Sequence, residues 1–188
     1  MAVPAKHSAP LTLAQRVARA MGTPEPQPAA PSGAPSGSTC LLLDVSGSMA
    51  EDCEPGRSKI DALREIVPTL NCAAVYAFAD DVNKCRPAAI PGPAGQTYMS
   101  RAFQRAKTDG HAACVLITDG IPTEPEAAVM RAAAGLHIEI FYVGPAPKPA
   151  ILDKLARAGQ GRAHKASLKR NTKKQLAVKI RALLGPGA

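Results

Sequence analysis

Thr39-Cys40-Leu41-Leu42-Leu43-Asp44-Val45-Ser46-Gly47-Ser48-Met49 is the stretch whose reading decides the fold of this chain. The apolar run Cys40 to Leu43 stops abruptly at Asp44. An uninterrupted run of this kind is the pattern of a strand buried on both faces of a parallel sheet. Ser46 and Ser48 follow at alternate positions around Gly47, and polar oxygens just past the carboxyl end of a strand mark the ligand-binding edge of an α/β sheet. Asp-x-Ser-x-Ser alone is short and also reads as a turn, since Asp and Ser favour turns. Two later segments give it weight: Gly95-Gln96-Thr97 and Leu116-Ile117-Thr118-Asp119-Gly120. The three segments supply the carboxylates Asp44 and Asp119 and the hydroxyls Ser46, Ser48 and Thr97. All are hard oxygen donors, a set suited to Mg2+, with Mn2+ or Ca2+ as alternatives.

On these residues, from about Ser38 to the C-terminus, the chain resembles a von Willebrand factor type A domain with a metal-ion-dependent adhesion site. The Asp-x-Ser-x-Ser, the distant Thr and the Asp-Gly stand in the family's order. The resemblance implies a Rossmann-like three-layer α/β sandwich with the metal at its top, held by Asp44, Ser46, Ser48, Thr97 and Asp119. It also implies that an Asp or Glu of a partner protein completes the metal's coordination. Intracellular relatives often serve as adaptors for AAA+ ATPases of the MoxR kind, or as parts of homo- or hetero-oligomeric assemblies, so such a partner is expected.

The hydrophobic pattern leads to the same architecture. After a polar loop, Glu51 to Arg57, Ser58 and Asp61 stand in capping-box spacing ahead of a helix. Ile60, Leu63, Ile66, Val67 and Leu70 keep a helical period, and Pro68 should kink or end that helix. Cys72 to Ala79 reads as a second strand and Val82 to Ile90 as a third, turned antiparallel through Asp80-Asp81. Thr97 opens a helix to Ala106, and His111 to Thr118 is a fully buried strand. Thr123 and Glu126 suggest another capping box, starting a helix to about Ala134. Leu136 to Val143 is a strand, Ala150 to Ala158 and Lys173 to Leu184 are helices, and a weak strand is expected near Ala163 to Ala166. Strands alternating with helices imply a mostly parallel sheet with one antiparallel edge strand and helices on both faces.

An enzyme is not expected. No Gly-x-Ser-x-Gly elbow surrounds Ser46 or Ser48, and there is no Walker loop or dinucleotide fingerprint. An aspartate-phosphatase site would want a second carboxylate where Ser46 stands. His7, His111, His137 and His164 are scattered along the sequence. Apolar residues make up 46% of the 188, enough for a core, and there is no Trp. No run approaches the length of a membrane span. The five cysteines form no Cys-x-x-Cys pair; Cys40, Cys72 and Cys114 fall in strands, where Cys acts as a small hydrophobe. Cys53 is expected to be exposed, and a reducing, cytoplasmic setting fits this cysteine usage.

Residues 1–38 read as a tail and 39–188 as the domain. Gly22 to Ser38 is a linker rich in Pro, Ala, Gly and Ser. Before it, residues 11–21 are amphipathic, with Leu13, Val17 and Met21 on one side. That segment is open to three readings: a disordered tail, a helix formed on a partner, or an Arg-bearing presequence without acids. From Lys154 onward the charged residues are all basic. Lys165, Lys169, Arg170, Lys173 and Lys174 form a candidate basic patch, either a solvated face or a surface for nucleic acid or acidic protein in a scaffolding role.

Overall fold

The computed structural model of the chain describes residues 38–185. The tail residues Leu13, Val17 and Met21, and the linker up to residue 37, lie outside the described residues.

Strand β1, Thr39–Asp44, lies at the centre of a six-stranded sheet. Its neighbours are β4, Val75–Phe78, and β6, Ala113–Thr118, both parallel to it. Beyond β4 lies β5, Val82–Cys85, antiparallel at the edge. Beyond β6 come β7, His137–Tyr142, and β8, Ala163–Lys165, both parallel. This is the mostly parallel sheet with a single antiparallel edge strand that the sequence pattern implies.

Alternate residues of β1 serve opposite faces, as the strand's period of two requires. Cys40 and Leu42 join Tyr76, Leu116, Ile138 and Ile140 on one face. Helices α2, Met99–Thr108, α3, Glu126–Ala133, and α4, Ala150–Ala158, cover that face through Phe103, Val129 and Leu152. Leu41 and Leu43 join Val75, Val115, Ile117 and Phe141 on the other. There α1, Lys59–Ile66, and α5, Lys173–Leu184, contribute Ile60, Leu63, Leu176 and Ile180. With α1 on one face and α3 on the other, the loops after β1 and β6 leave the sheet in opposite directions, the arrangement at which open α/β sheets bind their ligands.

Local chemistry sets the element ends. The Ser58 hydroxyl accepts from the Asp61 backbone N–H at the start of α1. Pro68 lies in a 3-10 turn, Val67–Thr69, which replaces the last part of the expected helix. Asn71, with φ +52°, then reverses the chain, so β4 begins at Val75 rather than Cys72. Pairing of β5 stops at Cys85, ahead of Pro87, which has no N–H to give a ladder.

Four local expectations are corrected. The loop from Glu51 to Arg57 is a small antiparallel hairpin, β2, Asp52–Glu54, and β3, Arg57–Ser58. Thr97 does not open α2, which starts at Met99. Thr123 and Glu126 form no capping box, because α3 begins at Glu126 behind Pro125 without a side-chain cap. Cys53 is half-buried in the hairpin, its Sγ directed at the carbonyls of Arg57 and Ser58. It packs against the apolar cluster beneath rather than standing exposed.

A candidate metal centre at the sheet's carboxyl edge

Asp44 ends β1 and is fully buried. Its Oδ1 accepts the Ser46 backbone N–H at 2.8 Å, and its Oδ2 accepts the Thr118 hydroxyl at 2.5 Å. Burial pushes the Asp44 carboxyl above its ordinary pKa, and these donors oppose that push. Asp44 therefore organises the site, tying the loop after β1 to the end of β6.

Beyond Asp44 the chain enters a 3-10 turn, Gly47–Ala50. The Ser46 and Ser48 hydroxyl oxygens lie 3.2 Å apart, and the Ser48 hydroxyl donates to Asp119 Oδ1 at 2.7 Å. Asp119 follows Thr118 directly, so the end of β6 delivers its carboxylate to the same place.

Thr97 arrives on a separately anchored loop. Gly47 donates to the Gly95 carbonyl at 3.0 Å and Ala94 to the Val45 carbonyl at 2.9 Å. Asp80, just past β4, accepts the Gln96 N–H at 3.1 Å. Gly95 has φ +71°, and a Cβ there would lie 2.2 Å from Asp80 Oδ2. Only glycine allows both the left-handed turn and that close approach. Thr97 and Thr123 exchange two bonds, Thr97 N–H to the Thr123 hydroxyl at 3.2 Å and Thr123 N–H to the Thr97 carbonyl at 3.0 Å. A Cβ on Gly120 would lie 3.6 Å from Thr97 Oγ1, so Thr97 stands against the Asp119-Gly120 turn. Glu124 of the same loop accepts from the Ser100 N–H and hydroxyl, both at 2.5 Å. It thereby occupies the first turn of α2, where backbone donors lack intrahelical partners and a carboxylate is favoured.

The sequence reading missed three participants. Thr118 adjoins the motif and was legible only as part of a strand. Lys59, the first residue of α1, has a side chain only 3% exposed, and its ammonium lies 2.6 Å from Asp119 Oδ2. Glu51 takes a second contact from Lys59 at 2.6 Å, and the Ser48 carbonyl a third at 3.2 Å. Burial pushes Lys59 toward losing its proton. The bonds to Asp119 and Glu51 outweigh that push and hold its pKa above the ordinary lysine value.

The donor chemistry fits a small hard cation. Oxygens sharing the octahedral shell of Mg2+ at about 2.05 Å lie about 2.9 Å from one another. The Ser46–Ser48 and Ser48–Asp119 separations of 3.2 and 2.7 Å bracket that value. Among the described residues, no group of three His, Cys, Asp or Glu side chains is placed to hold a metal, so this candidate depends on its hydroxyls.

Part of the basic segment bonds within its own domain, and most of it stays exposed. Lys165 donates to the Pro145 and Ala146 carbonyls, and Lys173 pairs with Glu65 at 2.5 Å. The Arg170 side chain reaches Glu54 at 4.0 Å. Lys169 and Lys174 are exposed. Of the scattered histidines, His164 and His137 meet at Glu139, with Nε2 at 3.0 and 3.8 Å from its two oxygens. No helix among the described residues is long and apolar enough to cross a membrane.

No family model matches the chain, and no curated protein matches it. Among solved structures it is similar to a von Willebrand factor type A protein from Catenulispora acidiphila, with TM-score 0.64 and 19% identity. The match covers 79% of this chain and 42% of that one, so the likeness concerns the fold of a part of that protein.

Proposed function

We propose that this domain is a Mg2+-dependent protein-interaction module, not an enzyme. The observation that carries the reading is the chain of oxygens from Ser46 through Ser48 to Asp119, at the crevice where α/β sheets take their ligands. Ser46, Ser48, Thr97 and Asp119 would hold the cation, with Asp44 beneath them. Mn2+ or Ca2+ are the alternative ions. The cation would supply Lewis acidity toward an incoming carboxylate, which a partner protein presents as Asp or Glu. The hydroxyls are neutral, so these ligands leave positive charge for that carboxylate to meet. Ile121, directly after the Asp119-Gly120 turn, is 63% exposed and offers an apolar contact beside the site. An AAA+ ATPase of the MoxR kind, or a larger assembly in the cytoplasm, is the partner class we favour.

The test is the Mg2+ dependence of the melting temperature in the wild type and in Ser46→Ala/Ser48→Ala. A ligand that binds only the folded state stabilises it by about 2.7 kcal/mol at one hundred times its Kd. The wild type should respond and the double variant should not. Asp119→Ala is a poor probe, because it strands the buried Lys59 ammonium, and removing one partner of a buried pair costs about 3–5 kcal/mol. Absence of any response to Mg2+ or Mn2+ in the wild type would sink the proposal. Partner capture that EDTA abolishes and nuclease leaves intact would support it over a nucleic-acid role for the basic segment.

A further inference from the structure

Lys59 and Asp119 are 60 residues apart in sequence and in contact at the centre of the candidate site. Their side chains are 3% and 1% exposed. A lysine ammonium has three N–H donors. Here they are matched by three acceptors: Asp119 Oδ2, Glu51 Oε2 and the Ser48 carbonyl. No buried side-chain nitrogen or oxygen among the described residues lacks a hydrogen-bond partner. The site's carboxylate is thus balanced by a cation the chain itself supplies. The three acceptors are not equivalent. Asp119 is buried and belongs to the oxygen cluster, whereas the Glu51 side chain is 63% exposed and stands at the rim.

We propose that Lys59 is a tethered cation that competes with the divalent metal for Asp119, with Glu51 and the Ser48 carbonyl as its retained seat when the metal takes that carboxylate. The inference rests on the proposed metal site and adds its regulation. Lys59 sets the metal threshold, so the site loads only where Mg2+ is abundant enough to outcompete an ammonium already in place. Because α1 begins at Lys59, the exchange couples loading to the start of that helix and to the hairpin that precedes it.

The experiment is calorimetric titration with Mg2+, repeated with Mn2+, of the wild type, Lys59→Met and Lys59→Gln, with melting temperatures recorded in EDTA and in Mg2+. Methionine keeps most of the side chain's length and loses the charge; glutamine also keeps an N–H donor for Asp119. Both variants should melt lower in EDTA, because Asp119 loses its counter-charge, and both should bind Mg2+ at least about tenfold tighter, the order of effect expected for a charge at this distance. If Lys59→Met fails to fold, Lys59→Gln decides. Unchanged or weaker Mg2+ binding in the folded variants, with the wild type still binding, would overturn the competition and leave the metal site standing, since a purely structural lysine lowers stability without raising metal affinity. Absence of binding of either ion to wild type and variants alike would remove the metal site and this inference with it.

Discussion

The Thr118 hydroxyl donates to Asp44 Oδ2 at 2.5 Å, across two neighbouring parallel strands and between two fully buried side chains. It is a lateral tie between the carboxyl ends of β1 and β6, the strands whose following loops carry Ser46, Ser48 and Asp119. Thr118→Val keeps the shape and removes the donor. A buried acceptor deprived of its partner costs about 1–3 kcal/mol. Chemical denaturation should show a loss of that size, together with a weaker Mg2+ response, because Asp44 is then less firmly placed. Stability within about 0.5 kcal/mol of wild type, the scatter of ordinary surface changes, would count against this tie.

Thr97→Ala should behave differently. Thr97 stands two residues ahead of the first helical residue Met99, and the start of α2 is held by Glu124 instead. Removing the Thr97 hydroxyl deletes no helix cap, so the loss should stay below the about 1 kcal/mol typical of one. The thermal response to Mg2+ should nonetheless fall. A large loss of stability with an intact Mg2+ response would place Thr97 among the structural residues.

Gly95→Ala tests the loop that delivers Thr97. A non-glycine residue at φ +71° is strained by about 1–2 kcal/mol, and here the added methyl would also meet the Asp80 carboxylate. Asp80 would have to move and release the Gln96 N–H. The unfolding free energy from urea denaturation should drop by at least that strain, and the Mg2+ response should shrink because Thr97 shifts. A variant indistinguishable from wild type in both measurements would contradict this account of the loop.

Acid sensitivity should trace in part to Glu65. Hydrogen bonds from Lys173 and from Arg57 hold its carboxyl below the ordinary range. A carboxylate depressed in the folded state contributes stability above the unfolded-state value, about 4.3 for Glu. That contribution disappears as pH falls through the lower folded value. Glu65 is half-exposed, so solvent screening limits the pair to roughly 0.2–1 kcal/mol. Denaturation midpoints of Glu65→Gln should therefore depend less on pH between about 5 and 3 than those of wild type. Identical slopes would remove Glu65 from the acid limb.

Thiol labelling checks the core. Burial pushes Cys40 up to about 12 and raises Cys114 well above the ordinary thiol range, and Cys53, Cys72 and Cys85 are raised as well, again chiefly by burial. Reagents that need a thiolate should react slowly with the native protein near pH 7.5 and rapidly after denaturation. Fast native labelling of Cys40 or Cys114 would mean the central strands open readily.

Several features were legible in the residues alone. The run Cys40 to Leu43 announced a strand buried on both faces, and the capping pair Ser58 and Asp61 placed the start of α1. The helices Ala150–Ala158 and Lys173–Leu184 were readable to the residue from their apolar period. Asp44, Ser46, Ser48, Thr97 and Asp119 could be picked out because their oxygens follow strand ends or loop glycines. Periodicity and turn chemistry are local, so a linear sequence carries them. Only the tertiary structure decided which local signals prevail and which distant groups meet. It gave the first turn of α2 to Glu124, took Thr123 away from a cap to hold Thr97, and folded Glu51 to Arg57 into a hairpin. It also set Lys59 against Asp119, a pairing that no spacing reveals. The sheet order places β1 beside β6, and burial then requires each buried charge to find an opposite charge or hydrogen-bond donors and acceptors. That requirement acts in space, between residues the sequence keeps far apart.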